Sequence, residues 1–285
     1  GLDLTVTIPT PWDGVLDALA NGSADMCLGG IWVPSMYRSR VKEYTVFAQI
    51  ANRCPLALVA RSSSSSSSAS NFSLSDVANK TVLIKSGGGA SAGLFFKMLL
   101  RENKIDDRAV DYIQDLDGKM LGDLFQGGMG DYFVTDNLSA MAMVAGNPNV
   151  TIAMAMVAQG DIPWSVYYCE TARITPELVD KQKRFCVALD KGIQWVLEHD
   201  ANEFRDELAA LFPNVPVDAA VEVTNGFRRH GMWTAASVDR KGHERWQVGL
   251  AGARLLKEPL AYETIVDDSV ARAARMEAQG AAKTP

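Results

Sequence analysis

The stretch Leu83–Phe96, LIKSGGGASAGLFF, places three consecutive glycines between an apolar segment and a helical pattern. The residues before the glycines predict a strand over 81–85, and the apolar spacing after them predicts a helix over 91–103. A strand, a glycine turn and a helix in this order form the building unit of α/β proteins. The stretch therefore indicates an α/β fold, and its glycines raise the question of what the turn binds.

Three functional motifs can be found in this one turn. Gly87–Ala92 fits the dinucleotide pattern G-x-G-x-x-A, and Gly89–Gly93 fits the hydrolase pattern G-x-S-x-G with Ser91 as the nucleophile. The third interpretation involves no reaction: a glycine-rich turn exposes backbone N–H groups at a helix N-terminus, where they favour a partly negative ligand. Ser86 and Ser91 would add hydroxyl donors to such a site.

The rest of the chain supports neither of the first two motifs. A serine hydrolase needs an acid and a histidine on loops that follow later strands, whereas His199, His230 and His243 all fall in a helical C-terminal third. A dinucleotide-binding fold needs a longer alternation of strands and helices than the single unit that follows this turn. Two interpretations are left, a backbone cradle for a ligand and a tight turn that binds nothing.

Composition excludes several functional classes. The 285 residues carry a net charge of −6 and a pI near 5.2 without a cluster of Lys and Arg, which argues against a nucleic-acid surface or a polybasic membrane anchor. No apolar run approaches the ~18 residues that span a bilayer. The four cysteines and three histidines lack metal-ligand spacing, so the sequence predicts no metal site and no cofactor.

A repeated pattern and a serine run divide the chain. Leu19–Asp25 precedes an apolar strand at 26–28, and Leu124–Asp131 precedes a similar strand at 132–134. Each copy reads as helix, glycine turn, aspartate and buried strand, which indicates two α/β lobes of similar construction. Between the copies lies the serine run 62–68, which is predicted to be a flexible surface connection.

Periodicity predicts a mixture of strands and helices up to about residue 175 and helices alone after it. Predicted strands cover 4–8, 26–28, 46–50, 55–60, 81–85, 109–114, 132–135, 150–156 and 166–168. Predicted helices cover 11–20, 91–103, 119–125, 138–144, 176–199, 202–211, 217–229 and 239–256. Ser35 is predicted to cap a further short helix.

The order of these segments resembles the type II periplasmic solute-binding proteins of ABC importers, in the branch for sulfonates, nitrate, taurine and thiamine-pyrimidine precursors. The segments that carry the resemblance are 15–25, 55–60, 74–82, 86–91 and 255–260. The resemblance extends over nearly the whole chain, and it is more specific to the superfamily than to a ligand. Such proteins begin with a strand and a helix before the segment that matches Gly1–Leu4, and we expect that first unit to be missing here.

The resemblance implies a two-lobed type II periplasmic-binding-protein fold with an interlobe cleft and a helical C-terminal region. Lobe one would comprise 1–60 and 170–285, and lobe two 61–169. A small organic solute (a sulfonate, a pyrimidine or an aromatic acid) would bind in the cleft without covalent chemistry and be delivered to the membrane subunits of an ABC permease. The protein would be a periplasmic or extracellular monomer, anchored by a lipid before processing, with no nucleic-acid partner.

The resemblance also implies which residues line the cleft, since loops at the carboxyl ends of strands face it. They are Trp12, Gly30 and Trp32 from lobe one, Ser86, Gly87, Gly88, Gly89, Ser91, Thr135, Asp136 and Asn137 from lobe two, and Asp161 and Trp164 at the hinge. The tryptophans suit a flat solute and Asp136 suits an amino group, whereas the turn at 86–91 suits an anion. By the same resemblance, Cys54 and Cys169 would meet at the two chain crossings and form a disulfide.

The main alternative is an enzyme on the same fold. Relatives of the family include a pyrimidine-precursor synthase and a desulfinase with a cysteine nucleophile, for which Cys27 would be the residue here. The cysteine-rich stretch expected of the synthase is absent from the sequence. A regulatory ligand-sensing module is a third class, and it would require a DNA-binding segment.

Overall fold

The computed structural model describes residues 2–10, 12, 14–61, 72–85, 90–114, 116 and 118–281. Its strands are β1 (Cys27–Gly29), β2 (Tyr44–Ala51), β3 (Leu56–Arg61), β4 (Thr81–Ile84), β5 (Asp111–Ile113), β6 (Tyr132–Asp136), β7 (Val150–Ala155) and β8 (Ser165–Glu170). Its α-helices are α1 (Gly14–Asn21), α2 (Trp32–Tyr37), α3 (Ser91–Glu102), α4 (Gly118–Gln126), α5 (Asn137–Gly146), α6 (Pro176–Glu198), α7 (Arg205–Leu211), α8 (Val217–Arg229), α9 (Arg240–Gly252) and α10 (Ser269–Ala281). The predicted α/β class is confirmed.

The described part of the chain forms two compact units, each with its own sheet. The first unit comprises the described residues of Gly1–Arg53, Gly160–His199 and Gly231–Pro285, and the second comprises those of Cys54–Gln159 and Asp200–His230. These limits differ from the lobes predicted to end at 60 and 169. The chain leaves the first unit before β3, because β3 pairs with β6 and β7, and it has returned before β8, because β8 pairs with β1 and β2.

Residues 200–230 belong to the second unit because their helices pack there. The helices α7 and α8 contact each other, and α8 also contacts α5. Leu138 of α5 packs against a buried cluster that contains Ala201, Leu208 and Val221. The family resemblance places this segment in the first lobe, and periodicity does not reveal which sheet a helix covers.

The first unit is built on a three-stranded sheet in the order β1-β8-β2. The central strand β8 is antiparallel to both neighbours, so β1 and β2 end at the edge where β8 begins. Phe47 and Ala48 of β2 pack with Cys186 and Ile193 of α6, and α10 lies along α6. This packing fixes the position of the edge at which β1 and β2 end.

The second unit is built on a five-stranded sheet in the order β5-β4-β6-β3-β7. Strand β4 is parallel to both β5 and β6, whereas β3 is antiparallel to β6 and β7. Val59, Leu83 and Phe133 are almost fully buried, and they belong to one core cluster with Leu121 and Phe125 of α4. Because β4 and β6 are parallel, both end at the same edge of the sheet, and α3 and α5 begin near that edge.

The strand predicted over 4–8 does not form. Leu4, Val6 and Ile8 are 59%, 73% and 80% exposed, and the segment has no assigned secondary structure. An alternating apolar pattern becomes a strand only where a neighbouring strand takes up its backbone hydrogen bonds. In the described structure, neither sheet has a strand paired with this segment.

Two smaller differences concern helices. Ser35 lies inside α2 rather than at its cap, and its hydroxyl donates to the carbonyl oxygen of Ile31 at 3.2 Å. The sequence pattern also gives no sign of α10, although Ala271 and Ala274 are fully buried there. Alanine side chains are too small to produce the strong apolar periodicity that identifies a helix.

The predicted disulfide between Cys54 and Cys169 is wrong, because both residues are thiols in the structure. Cys169 lies near the carboxyl end of β8, opposite Thr45, and its sulfur accepts a hydrogen bond from Gln182 Nε2 at 3.3 Å. Cys54 follows the other end of β2, where its thiol lies 4.0 Å from Met156 Sδ. The prediction fails because the whole of β8 belongs to the first unit, so Cys169 is not at a chain crossing.

A buried histidine links the stability of the first unit to pH. His243 in α9 is fully buried against the ring of Tyr262, and neither of its ring nitrogens has a hydrogen-bond partner among the described residues. Burial, aided by the charge of Arg240, lowers the pKa of His243 from 6.5 to about 4, although Glu263 acts in the opposite sense. The folded state therefore holds the neutral imidazole.

We expect the free energy of unfolding to fall as the pH drops from 6.5 toward about 4. In this range the unfolded chain binds a proton at His243 that the folded chain does not, and the full loss is about 3 kcal/mol. Urea titrations at a series of pH values would measure it, and His243→Leu should remove this part of the pH dependence. His230→Gln, at the exposed end of α8, is the control. An unchanged pH profile in His243→Leu would contradict the expectation.

Candidate functional site

The parallel strands of the second unit end beside two helix N-termini. Strand β4 ends at Ile84 and β6 at Asp136, and the helices that follow them begin at Ser91 and Asn137. Ligands of α/β proteins bind at the carboxyl ends of parallel strands, because the loops there can contact them. The predicted site residues Ser86, Gly87, Gly88 and Gly89 lie outside the described residues.

Asp136 is held by three hydrogen bonds at this edge. Its carboxylate lies 2.8 Å from Lys85 Nζ and accepts from both the backbone N–H and the hydroxyl of Ser139, each at 2.8 Å. Burial favours the neutral acid, but the bonds from Lys85 and Ser139 outweigh it and hold the pKa of Asp136 below its ordinary value. The carboxylate is therefore charged, and its acceptor capacity is largely used within the protein.

The two helix N-termini differ in how they are capped. Helix α5 is capped by Asp136, whose side chain accepts from the N–H of Ser139. Helix α3 follows Ala90, which provides no side-chain cap, and its first backbone bond runs from Leu94 N–H to the Ala90 carbonyl. The N–H groups of its first turn therefore have no acceptor within the described helix, which is the arrangement that binds anions. Ser91, the first residue of this helix, is only 7% exposed.

Thr135 and Asn137 flank Asp136 and have structural contacts. Thr135 is 1% exposed within β6, opposite Ala57 of β3. Asn137 donates from its side-chain amide to the carbonyl oxygen of Pro55 at 2.8 Å. Both residues fix β3 against the end of β6, so their contribution to the edge is to hold Asp136 and the start of α5 in place.

The first unit brings a second group of predicted residues to one edge of its sheet. Gly30 follows β1, and α2 begins two residues later at Trp32, whose side chain is half-buried. Trp164 immediately precedes β8, is also half-buried, and donates its backbone N–H to the carbonyl of Ala51 at the end of β2. Trp12 lies in the turn before α1 and is 40% exposed. The predictions for Gly30, Trp32 and Trp164 thus fall at one sheet edge.

Asp161 is part of an ion pair at the same edge. Arg53 Nε lies 2.6 Å from Asp161 Oδ1, and Asn52 donates its side-chain amide to the same oxygen at 3.1 Å. Arg245 donates to the Asp161 carbonyl at 3.2 Å. The carboxylate therefore ties the end of β2 to the segment before β8, close to the point where the chain passes between the units.

Sequence reasoning did not identify the partners of these two acids. Lys85 directly follows β4 and Arg53 lies two residues past the end of β2, so both lie at strand ends, as Asp136 does at the end of β6. Both cations could therefore have been predicted from the sequence, because every polar residue that follows a strand is a candidate for the edge where that strand ends. Ser139 could have been found from its position three residues after a capping aspartate.

Groups for covalent or metal chemistry are poorly represented in the described structure. Cys27 in β1 is 8% exposed, and burial raises the pKa of its thiol to about 12, although a hydrogen bond with Tyr168 opposes the shift. Within the described residues, no three His, Cys, Asp or Glu side chains are grouped so as to hold a metal ion. No described helix is long and apolar enough to cross a bilayer.

Comparisons with known proteins support one fold. No protein-family model matches the chain. YtlA of Bacillus subtilis (strain 168), provisionally named a binding protein, is 22% identical over 275 residues, which cover 95% of this chain and 80% of YtlA. The structure of the periplasmic sulfonate-binding protein SsuA of Methylobacillus flagellatus KT matches with a TM-score of 0.68 and 15% identity, over 92% of this chain and 78% of SsuA.

A desulfurization enzyme, DszB, is also similar, with a TM-score of 0.60 and 14% identity over 89% of this chain and 85% of the enzyme. Identities this low identify a fold rather than a function, because one fold carries many activities. The similar structures include several ligand-binding components of import systems. The resemblance found in the sequence is confirmed for the fold: the chain has the two-lobed α/β fold of periplasmic binding proteins.

We expect Asp136→Asn to destabilise the protein by about 1–3 kcal/mol, because Lys85 loses its partner and α5 loses a charged cap. Urea unfolding at pH 7 would measure the change. In the wild type, this contribution is complete above pH 3.8 and is lost as the pH falls through the lower pKa of the folded state. Asp123→Asn, on the exposed face of α4, removes the same charge and is the control. Equal stability of the two variants would contradict the role assigned to Asp136.

Proposed function

We propose that this protein is the solute-binding component of an ABC importer and that its solute carries a sulfonate or a similar oxyanion. The observation that supports the ligand class most directly is the uncapped start of α3, where the first-turn N–H groups have no acceptor within the described helix. Such N–H groups, at the positive end of a helix, bind oxyanions. The end of β4, with Lys85, belongs to the same sheet edge.

Asp136 and Asp161 already have partners within the protein, which favours an oxyanion over an amine as the ligand. An amino-pyrimidine needs a carboxylate to accept its N–H groups, but Asp136 is bonded to Lys85 and Ser139, and Asp161 is bonded to Arg53. An oxyanion needs donors instead, and the backbone of α3 supplies them. Among the classes predicted from the sequence, the sulfonate and the aromatic acid therefore fit these contacts better than the pyrimidine. Between these two, the name of SsuA, a sulfonate-binding protein, favours the sulfonate.

The proposed binding residues are a subset of those predicted from the sequence. Trp32 and Trp164, both half-buried, would contact the apolar part of the solute, and Ser91 with the turn at 86–89 would bind its oxyanion. Solute binding would shift the population toward a closed arrangement of the lobes without covalent chemistry. The closed form would then be recognised by the permease subunits. We further propose a monomer in the periplasm or outside the cell, held by a lipid anchor before processing.

A desulfinase-like enzyme is the second candidate, and the similarity to DszB favours it. A cysteine nucleophile reacts as the thiolate, whereas the buried Cys27 has its pKa raised to about 12 and stays protonated at neutral pH. The binding-protein function is preferred for this reason.

We expect the protein to release no sulfite from an aromatic sulfinate, measured by a colorimetric sulfite assay. We also expect Cys27→Ser to bind the solute as tightly as the wild type, since the thiol makes no ligand contact in this proposal. Turnover by the wild type that disappears in Cys27→Ser would establish the enzyme instead. Cys186→Ser, at another buried thiol, is the control for loss of stability.

The solute class can be tested by thermal shift with alkanesulfonates, an aminopyrimidine and benzoate. A ligand present at about 100 times its Kd stabilises the folded state by about 2.7 kcal/mol. We expect this stabilisation with at least one alkanesulfonate and a smaller one with the aminopyrimidine. The absence of any shift across the alkanesulfonates would contradict the proposal.

Variants at Ala90 test whether the start of α3 binds the oxyanion. Ala90→Asp places a carboxylate at the start of α3, where the helix dipole favours it but where it competes with and repels an oxyanion. We expect the melting temperature of the unliganded protein to be maintained and the affinity for the sulfonate to fall by about tenfold or more. Ala90→Asn adds a side chain of similar size without charge and should weaken binding less. Equal affinities in the three proteins would place the oxyanion elsewhere.

A further inference from the structure

The first unit contains a groove at the end of its sheet opposite to Asp161 and Trp164. It encloses about 440 Å³ between the end of α1, the end of β8 and the first turns of α6. Leu19 and Leu178, which are 1% and 7% exposed, give it an apolar floor. A volume of this order is typical of sites for small molecules, which occupy about 300–1,000 Å³.

Two cations in the groove have unused hydrogen-bond donors. Lys181 Nζ lies 3.7 Å from Asp25 Oδ2 and 3.5 Å from Glu177 Oε1, distances too long for good hydrogen bonds. The Arg173 guanidinium donates from Nη2 to the Ala20 carbonyl at 3.0 Å, and its Nε lies 3.8 Å from Glu170. Each cation is therefore held close to the groove without having its donors filled.

The absence of a side chain at Gly22 leaves room for the guanidinium of Arg173. Gly22 has a positive φ of 80°, and a Cβ added there would lie 2.8 Å from Arg173 Nη1. A side chain at this position would be strained, and the guanidinium would have to move away from it. Thus the last turn of α1 accepts a hydrogen bond from Arg173, and Gly22 leaves room for its head group beside the groove.

Two carboxylates at the groove have unused acceptors. The side chains of Asp25 and Glu177 are 62% and 81% exposed, and their nearest cation is the distant Lys181. Glu170 is different, because it is bonded to Lys42 Nζ at 3.1 Å. Exposed ion pairs as long as these contribute little to stability, about 0–1 kcal/mol, so stability alone does not explain the arrangement.

We propose that this groove binds a small zwitterion of the α-amino-acid type. The ligand carboxylate would accept from Arg173 and Lys181, its ammonium would donate to Asp25 and Glu177, and its side chain would lie over the leucines of the floor. A simple anion fits less well, because it would face the acidic groups without compensation. This site lies within the first unit, and it does not depend on the proposed function or on the start of α3.

Isothermal titration of the full chain with the twenty common L-amino acids, at neutral pH and low salt, tests the proposal. We expect at least one amino acid to bind. We then compare its N-acetyl derivative, which lacks the ammonium, and its amide, which lacks the carboxylate. Each should bind at least about tenfold more weakly than the amino acid itself. Absence of binding by all twenty would overturn the proposal, as would a derivative of either kind that binds as tightly as its parent amino acid.

Variants locate the site. Lys181→Gln and Asp25→Asn should each weaken binding of the selected amino acid by about tenfold with unchanged melting temperatures. Lys183→Gln, on the same helix but paired with Glu277 outside the groove, is the matched control and should bind normally. Ala90→Asp, which is directed at the sulfonate site, should leave this binding intact. Binding that Ala90→Asp abolishes and Lys181→Gln preserves would overturn the second site and assign the amino acid to the edge of the other unit.

Discussion

The parallel pairing of β4 with β6 is the constraint on which the candidate site depends. Parallel neighbours end at the same edge of a sheet, so the residues that follow them and the helices that come next meet there. Lys85 and Asp136 occupy the two strand ends, and their ion pair joins the segments that lead into α3 and α5. With antiparallel pairing these helices would begin at opposite edges, and no common donor surface would exist.

Both units use their acidic residues in the same way. Asp136 ties the ends of β4 and β6 together, and Asp161 ties the end of β2 to the segment before β8. A carboxylate at a strand end has the chemistry of a ligand contact, but here each is neutralised by a cation from a neighbouring segment. The charges therefore stabilise the geometry of the edges, and under the proposed function the solute is contacted by backbone N–H groups and aromatic rings instead.

Much of the fold could be predicted from the sequence because the sheets are buried. Strands such as β3 and β6 have apolar side chains that pack on the core, and the glycine turns that precede β1 and β6 mark the repeated unit. The segment 4–8 has the same alternation but no sheet partner, and partners are a tertiary property that local pattern does not contain. The unit to which 200–230 belongs is likewise a tertiary property, since α8 packs against α5 as well as against α7.

The sequence indicated which residues lie near the sheet edges, but it did not indicate which side chains they contact. The rule that polar residues at strand ends lie at a sheet edge selected Asp136, and the family resemblance placed Asp161 at the hinge, but neither identified Lys85 and Arg53, the cations that contact them. The role of an acidic side chain depends on the cation that it contacts, and for Asp136 that cation, Lys85, is 51 residues away in sequence. The helix caps depend on local sequence instead: an aspartate precedes α5 and an alanine precedes α3. Among the described residues, no side chain caps α3, and under the proposed function a bound oxyanion would take the place of that cap.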